Sequence, residues 1–251
     1  MVPVVLLHGF MGKPTDWDVV TEAMVNWKAP TLPFHNGQDY SQTFDCFLSH
    51  FADLYVKNSR PIVVGYSLGG RIGLHLLRLF PRRIRGLILV GAHPGLVESR
   101  LREQRTEMDR LRLQNVHSKK QFTNWLHQWY SNPIWGNLPA EKRYPDMVKA
   151  RCEHDPQRMA KGCLYFSSGR LPSCWGALEK AQLPVSYICG EQDQKYVAVG
   201  RKLGLKRPDV KIVSVPNVGH NVVLQSPETI IDEIAFMREV VSSSKSKPIQ
   251  K

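Results

Sequence analysis

Three side chains in this sequence stand where chemistry can be done: a serine at a tight turn, an acid after an apolar run, and a histidine after a glycine. Ser67 lies in Gly65-Tyr66-Ser67-Leu68-Gly69, a G-x-S-x-G motif that follows the apolar run Ile62–Val64 and precedes a helical pattern. Strand, turn and helix are the context this motif requires. A turn this sharp brings backbones together, so small residues must flank the serine. It lifts the hydroxyl above the strand ends and aims the Leu68 amide, at the helix start, toward a developing oxyanion. His8-Gly9-Phe10 follows the first apolar run, and the Phe10 amide is the natural second oxyanion donor. His8 itself reads as a structural residue beneath that loop. Asp193, in Gly190-Glu191-Gln192-Asp193, follows a later run, and His220 follows Gly219. The histidine would take the serine proton, and the acid would fix its tautomer. Glu191 is the rival acid, but the position two residues on fits the strand end better.

Elements must hold these residues in place. Apolar runs at Pro3–Leu7, Ile62–Val64, Gly86–Val90, Val185–Cys189 and Val210–Val215 read as strands buried on both faces, the parallel-sheet pattern. Leu68–Phe80 has helical apolar spacing at Ile72, Leu76 and Leu79, with Pro81 as a stop. Ser226-Pro227-Glu228 reads as a helix start before the stripe Ile230, Ile231, Ile234 and Met237. Alternating strands and helices predict a doubly wound α/β domain. The alternation lapses over residues 96–183, which predicts a helical insertion within a core made of residues 1–95 and 184–241. The Ser/Lys-rich stretch 242–251 is expected to be disordered.

Composition narrows the classes. Apolar residues make up 42% and charged residues 22% of the 251, an ordinary globular balance. No apolar run approaches the ~18–20 residues of a membrane span, so no membrane insertion is expected. The opening residues are too short and lack the basic start of a signal peptide, so no leader is expected, whether the chain is a mature protein or an excised domain. The net charge is +12, from 34 Lys and Arg against 22 Asp and Glu. The basic residues are spread out and no nucleic-acid module is present, so the charge implies a solvated surface or an anionic small substrate. Five scattered cysteines without a CxxC pair imply free thiols in a reducing compartment. No metal signature, phosphate loop or dinucleotide fingerprint occurs, so no metal and no cofactor are expected. Nothing in the sequence signals an oligomeric state.

The order Ser67, Asp193, His220 is that of α/β-hydrolases. Several further segments resemble one family on that fold, the 2-succinyl-6-hydroxy-2,4-cyclohexadiene-1-carboxylate synthases. These are Leu7-His8-Gly9-Phe10-Met11-Gly12 with Trp17, the run from Gly65 through Gly70 to Arg71, and Ala92-His93-Pro94-Gly95-Leu96. Arg105 four residues before Asp109, Trp129-Tyr130 before Pro133, Lys195 after Asp193, and Gly219-His220-Asn221 complete the likeness. The resemblance covers about residues 3–240. It implies a carbon–oxygen lyase of menaquinone or phylloquinone biosynthesis, without a cofactor. Such an enzyme eliminates pyruvate from 2-succinyl-5-enolpyruvyl-6-hydroxy-3-cyclohexene-1-carboxylate, with the serine acting as a base. It also implies a tricarboxylate ligand touched by Tyr66, Arg71, Arg105, Trp129, Tyr130, Arg151 and Lys195, in a bacterial cytoplasm or a plastid stroma. Arginine suits each carboxylate because its planar fork donates two parallel hydrogen bonds. Arg151 matches by spacing alone, and Trp129 and Tyr130 serve equally as packing between helices. The rival readings are a serine esterase or C–C bond hydrolase of the same fold, a binding protein that has lost catalysis, and a nucleic-acid binder.

Overall fold

The computed structural model describes residues 1–243. One six-stranded sheet is formed by β1 (Val4–Leu7), β2 (Trp27–Lys28), β3 (Ile62–Tyr66), β4 (Gly86–Val90), β5 (Val185–Gly190) and β6 (Lys211–Val215). The strands run in the order β2-β1-β3-β4-β5-β6, and every neighbouring pair is parallel. β1, β3, β4 and β5 are buried at every residue, because helices cover both faces. Alternate residues feed two cores. Val5, Leu7, Val63, Leu87, Leu89 and Tyr187 pack on one face, and Val4, Leu6, Val64, Ile88, Val90 and Ile188 on the other. Truncating a fully buried side chain such as Ile88 to Ala would cost roughly 2–5 kcal/mol. β2 escaped the sequence reading because it is two exposed residues long and carries no apolar run. β6 is an edge strand with mostly exposed residues.

The helices are α1 (Asp18–Glu22), α2 (Phe44–Tyr55), α3 (Leu68–Leu79), α4 (Ser99–Leu111), α5 (Lys119–Tyr130), α6 (Tyr144–Arg151), α7 (Pro156–Tyr165), α8 (Trp175–Glu179), α9 (Gln194–Lys206), α10 (Val222–Gln225) and α11 (Pro227–Ser243). α3 buries Ile72 and Leu76 against the sheet, but Leu79 is exposed, so the expected stripe is one residue shorter. α11 presents Ile230, Ile234 and Met237 to the second core. It runs to Ser243, two residues into the stretch expected to be disordered, and residues 244–251 lie outside the described residues.

Helices α4–α8 all fall between β4 and β5. Side-chain caps start two of them: Ser118 accepts from the Gln121 amide, and Asp155 from the Arg158 amide ahead of Pro156. Each such cap satisfies a first-turn donor that has no intrahelical partner. The register sets Leu7 beside Gly65, Tyr66 beside Val90, Val90 beside Ile188 and Gly190 beside Val215. The turns after β1, β3, β4, β5 and β6 therefore open along one edge, the carboxyl ends of the strands, where open α/β sheets bind their ligands.

Candidate functional site

Ser67 joins β3 to α3 with φ 49° and ψ −104°, a sparsely populated conformation that costs of order 1–3 kcal/mol. The surroundings hold it there. The Ser67 amide donates to the Val90 carbonyl at 2.8 Å, and its own carbonyl accepts from the Arg71 amide at 3.1 Å. The flanking glycines follow from crowding. A Cβ at Gly69 would lie 2.1 Å from the Leu7 carbonyl oxygen, and one at Gly65 would lie 2.4 Å from the Gly70 nitrogen.

The structure brings the three sequence-predicted residues together. His220 Nε2 lies 3.0 Å from Ser67 Oγ, and His220 Nδ1 lies 2.6 Å from Asp193 Oδ2. The carboxylate accepts, so Nδ1 carries the hydrogen and Nε2 is free to receive the serine proton. Asp193 also caps α9, its side chain accepting from the Tyr196 amide. Glu191 has no such position: its amide donates to the Val215 carbonyl and the residue is exposed. The rings of Tyr66, Trp135 and Tyr196 surround the imidazole at 5.5, 5.2 and 4.5 Å. The His220 amide donates to the Ile134 carbonyl at 2.7 Å, so the stretch between β4 and β5 fixes the histidine loop directly.

The loop carrying Phe10 hangs on buried groups that are far apart in sequence. The Met11 amide donates to His35 Nε2 at 2.9 Å, and the Leu32 amide donates to His8 Nε2 at 3.1 Å. His154 Nε2 donates to the Met11 carbonyl at 2.9 Å. Burial pushes His8 down to about 3, His154 to about 4 and His35 well below its usual value. Neutral rings are what His8 and His35 need, since each accepts an amide hydrogen. The structural role expected of His8 matches this placement.

Arg151 differs from expectation. It does not line the cavity above Ser67. It is 4% exposed and donates to Asp16 Oδ2 at 2.6 Å, and the same carboxylate oxygen accepts from the Lys13 amide. Burial alone would depress Arg151, but Asp16 and Tyr130 outweigh it and hold the guanidinium charged. Tyr130 is likewise absent from the cavity wall and packs 4.9 Å from Trp135. The reason is Asp16, a partly buried carboxylate that draws the Arg151 guanidinium away from the cavity.

The cavity over Ser67 and His220 measures about 420 Å³. Phe10, Tyr66, Arg71, Arg105, Trp129 and Lys195 line it, and Leu68 begins the adjoining helix. Leu68 is in the first turn of α3, where amides lack intrahelical acceptors. Arg71 also donates to the Phe166 carbonyl. Burial and then the neighbouring Arg105 depress both Arg71 and Lys195. Arg105 donates to Asp109 Oδ2 at 2.7 Å. Burial alone would raise the Asp109 carboxyl, but Arg105, Ser167 and Arg112 hold it below the usual range. Burial, then Lys195, lowers His93 to about 4, so that ring is neutral. Arg112, His93 and Tyr196, which the sequence does not mark as site residues, also line the cavity. Arg112 carried a usable signal, because positions 105, 109 and 112 share one helix face. Four cations thus face one carboxylate on this wall, a net formal charge of +3.

A larger cavity, about 680 Å³, opens at the opposite ends of the strands and has no serine, cysteine, histidine or carboxylate in its wall. Among the described residues no group of three or more His, Cys, Asp or Glu is placed to hold a metal ion. None of the described helices is long and apolar enough to cross a membrane. All five cysteines are free thiols.

Comparison with known proteins gives a consistent picture. The chain is 29% identical to the putative 2-succinyl-6-hydroxy-2,4-cyclohexadiene-1-carboxylate synthase of Haemophilus influenzae, covering 88% of this chain and 91% of that protein. It is 27% identical to Protein PHYLLO, chloroplastic, of Arabidopsis thaliana, over 95% of this chain but 15% of that longer protein. Among solved structures it is similar to MenH from S. aureus, with a TM-score of 0.85 and 22% identity, covering 96% of this chain and 95% of that one. The family model described as the alpha/beta hydrolase family matches residues 4–233. The fold, the turn that carries Ser67 and this match together establish that the chain belongs to the alpha/beta hydrolase family.

Proposed function

We propose that this protein eliminates pyruvate from 2-succinyl-5-enolpyruvyl-6-hydroxy-3-cyclohexene-1-carboxylate to give 2-succinyl-6-hydroxy-2,4-cyclohexadiene-1-carboxylate, in menaquinone or phylloquinone biosynthesis. The observation that carries this reading is a serine–histidine pair beneath a wall of net charge +3, the complement of a small tricarboxylate. Neutral acyl esters would leave those cations without counter-ions.

The ring carbon bearing the succinyl group is the acidic position, since its anion is shared with the ketone and the ring alkene. His220 draws the Ser67 proton, and Ser67 Oγ takes the ring proton, so the histidine ends as imidazolium paired to Asp193. The developing charge on the succinyl carbonyl oxygen is received by the Phe10 and Leu68 amides. The electron pair then moves through the ring and breaks the bond from ring carbon to enolpyruvyl oxygen. The leaving enolpyruvate takes a proton at its methylene carbon, the net proton released through His220, and becomes pyruvate. No acyl-enzyme forms. Arg71, Arg105 and Lys195 hold carboxylates, Trp129 and Tyr66 shape the wall, and Arg151 and Tyr130 act from beneath it.

We further propose that residues 96–183 serve as a cap over a core of residues 1–95 and 184–241. The bacterial and chloroplastic relatives support a bacterial cytoplasm or a plastid stroma. The test is to incubate the protein with the enolpyruvyl substrate and assay free pyruvate. Stoichiometric pyruvate is expected, with no burst of p-nitrophenol from simple esters. A burst without pyruvate release would favour a serine esterase instead, which the same Ser67–His220 spacing also suits.

A further inference from the structure

We propose that Arg112 is an additional carboxylate-binding group of this site and sets its preference for a trianion. The inference rests on the reading above and extends it to a residue that neither the sequence motifs nor the family resemblance assigns.

Arg112 lines the cavity with Arg71, Arg105 and Lys195, at the C-terminal end of α4, where the helix dipole favours a cation. Two contacts fix its plane. Its guanidinium sits 4.6 Å over the Trp129 ring. Trp129 stacks on Trp125 at 5.2 Å and 18°, and Trp125 on Phe122 at 6.1 Å and 12°. Phe122 is fully buried, so the aromatic column is anchored in the core and Arg112 caps its cavity end. Arg112 also donates from Nε and Nη2 to Asp109 Oδ1, at 3.3 and 3.1 Å.

Asp109 is 1% exposed and serves two guanidiniums, one on each oxygen. A single carboxylate cannot neutralise both. Arginine has five N–H donors, and the two bonds to Asp109 leave Arg112 with three, including both on Nη1. None of the described residues accepts from Nη1. The side chain is 19% exposed, so this surplus charge and these donors face the cavity from a partly desolvated setting. A planar carboxylate satisfies both. A residue that merely balanced Asp109 would need neither the aromatic platform nor the second guanidinium.

Arg112→Gln removes the charge, and Arg112→Lys keeps it without the fork or the stack. Loss of a contact made equally in ground and transition states raises KM and spares kcat. In Arg112→Gln we expect KM for the enolpyruvyl substrate to rise roughly 10-fold, with kcat within about two-fold. Arg112→Lys should recover little of the loss. Arg110→Gln, on the same helix but exposed and paired with Glu107, should match wild type. Propane-1,2,3-tricarboxylate, titrated by tryptophan fluorescence, supplies a readout independent of turnover. Its Kd should rise in the same ratio in Arg112→Gln, and that of acetate should not change. If Arg112→Lys restores wild-type KM and Kd, Arg112 only balances Asp109 and the proposal is overturned. Unchanged values in Arg112→Gln overturn it as well. If the wild type releases no pyruvate, the elimination reading fails, and the tricarboxylate titration alone then decides the role of Arg112.

Discussion

Two arginine–aspartate clusters, both with arginines from the stretch between β4 and β5, end in opposite situations. Arg105 and Arg112 share Asp109 on the cavity wall, leaving an excess of positive charge beside open space. Arg151 meets a single carboxylate, Asp16, beneath the loop that carries Phe10, and the two charges cancel. The first cluster has donors left over for a ligand. The second ties the stretch between β4 and β5 to the loop that carries Phe10, since Asp16 also accepts from Lys13 of that loop and His154, three residues after Arg151, holds the Met11 carbonyl. Residue type and family spacing do not separate the two cases. The number of carboxylates per guanidinium does.

Substitutions should pull the clusters apart, first through stability. Breaking a buried pair by removing one partner costs about 3–5 kcal/mol, and Asp16 retains some solvent contact, so the lower figure applies. Arg151→Ala should lower Tm by roughly 6–12 °C. In the folded fraction kcat should fall and KM should hold, because the damage falls on the oxyanion loop. Thermal melts and steady-state kinetics check both. A large KM rise with Tm unchanged would place Arg151 on the substrate after all.

Arg105→Ala should do the converse. A charge-assisted hydrogen bond contributes roughly 1.5–3 kcal/mol, so kcat/KM should drop about 10- to 150-fold, with a smaller change in Tm because Arg112 still holds Asp109. Added salt should weaken substrate binding more in the wild type than in this variant.

Acid should attack the loop side first. His8 and His154 have folded pKa values depressed to about 3 and about 4. Their contribution is complete above the unfolded value near 6.5 and is lost as pH falls from there toward the folded values. At pH 5 each buried imidazole costs about 2 kcal/mol relative to neutral pH. Stability should therefore fall between pH 6.5 and 4, and His154→Gln, which can still donate to the Met11 carbonyl, should flatten that slope by about one residue's share. An identical slope in the variant, measured by denaturant titration across this range, would remove His154 from the account. The smallest expected effect is a control: Arg100 is exposed, and Arg100→Ala should leave kcat/KM within about two-fold.

What could be read in the sequence was whatever a local backbone demands. The glycines around Ser67 are imposed by contacts under 3 Å, so the turn announced itself. β1, β3, β4 and β5 are apolar on both faces, and they too were plain. Asp193 and His220 followed from strand ends. Groups that meet only in three dimensions were not legible. His8, His35 and His154 converge on one loop from positions that carry no shared motif, and nothing near Asp16 marks it as the partner of Arg151. β2, with two exposed residues, has no pattern to read. Arg112 lay between these extremes: it follows Arg105 at helical spacing, but its role depends on the Trp129 platform, which the sequence does not place.

The central claim is that Ser67, activated by His220, removes the ring proton. Pyruvate release from the enolpyruvyl substrate by Ser67→Ala, His220→Ala and the double variant tests it most directly. Residues that act as a unit fail together, so each single variant should lose several orders of magnitude in kcat, the double variant should be little worse, and Tm should hold. Near-wild-type pyruvate release by folded Ser67→Ala would contradict the account.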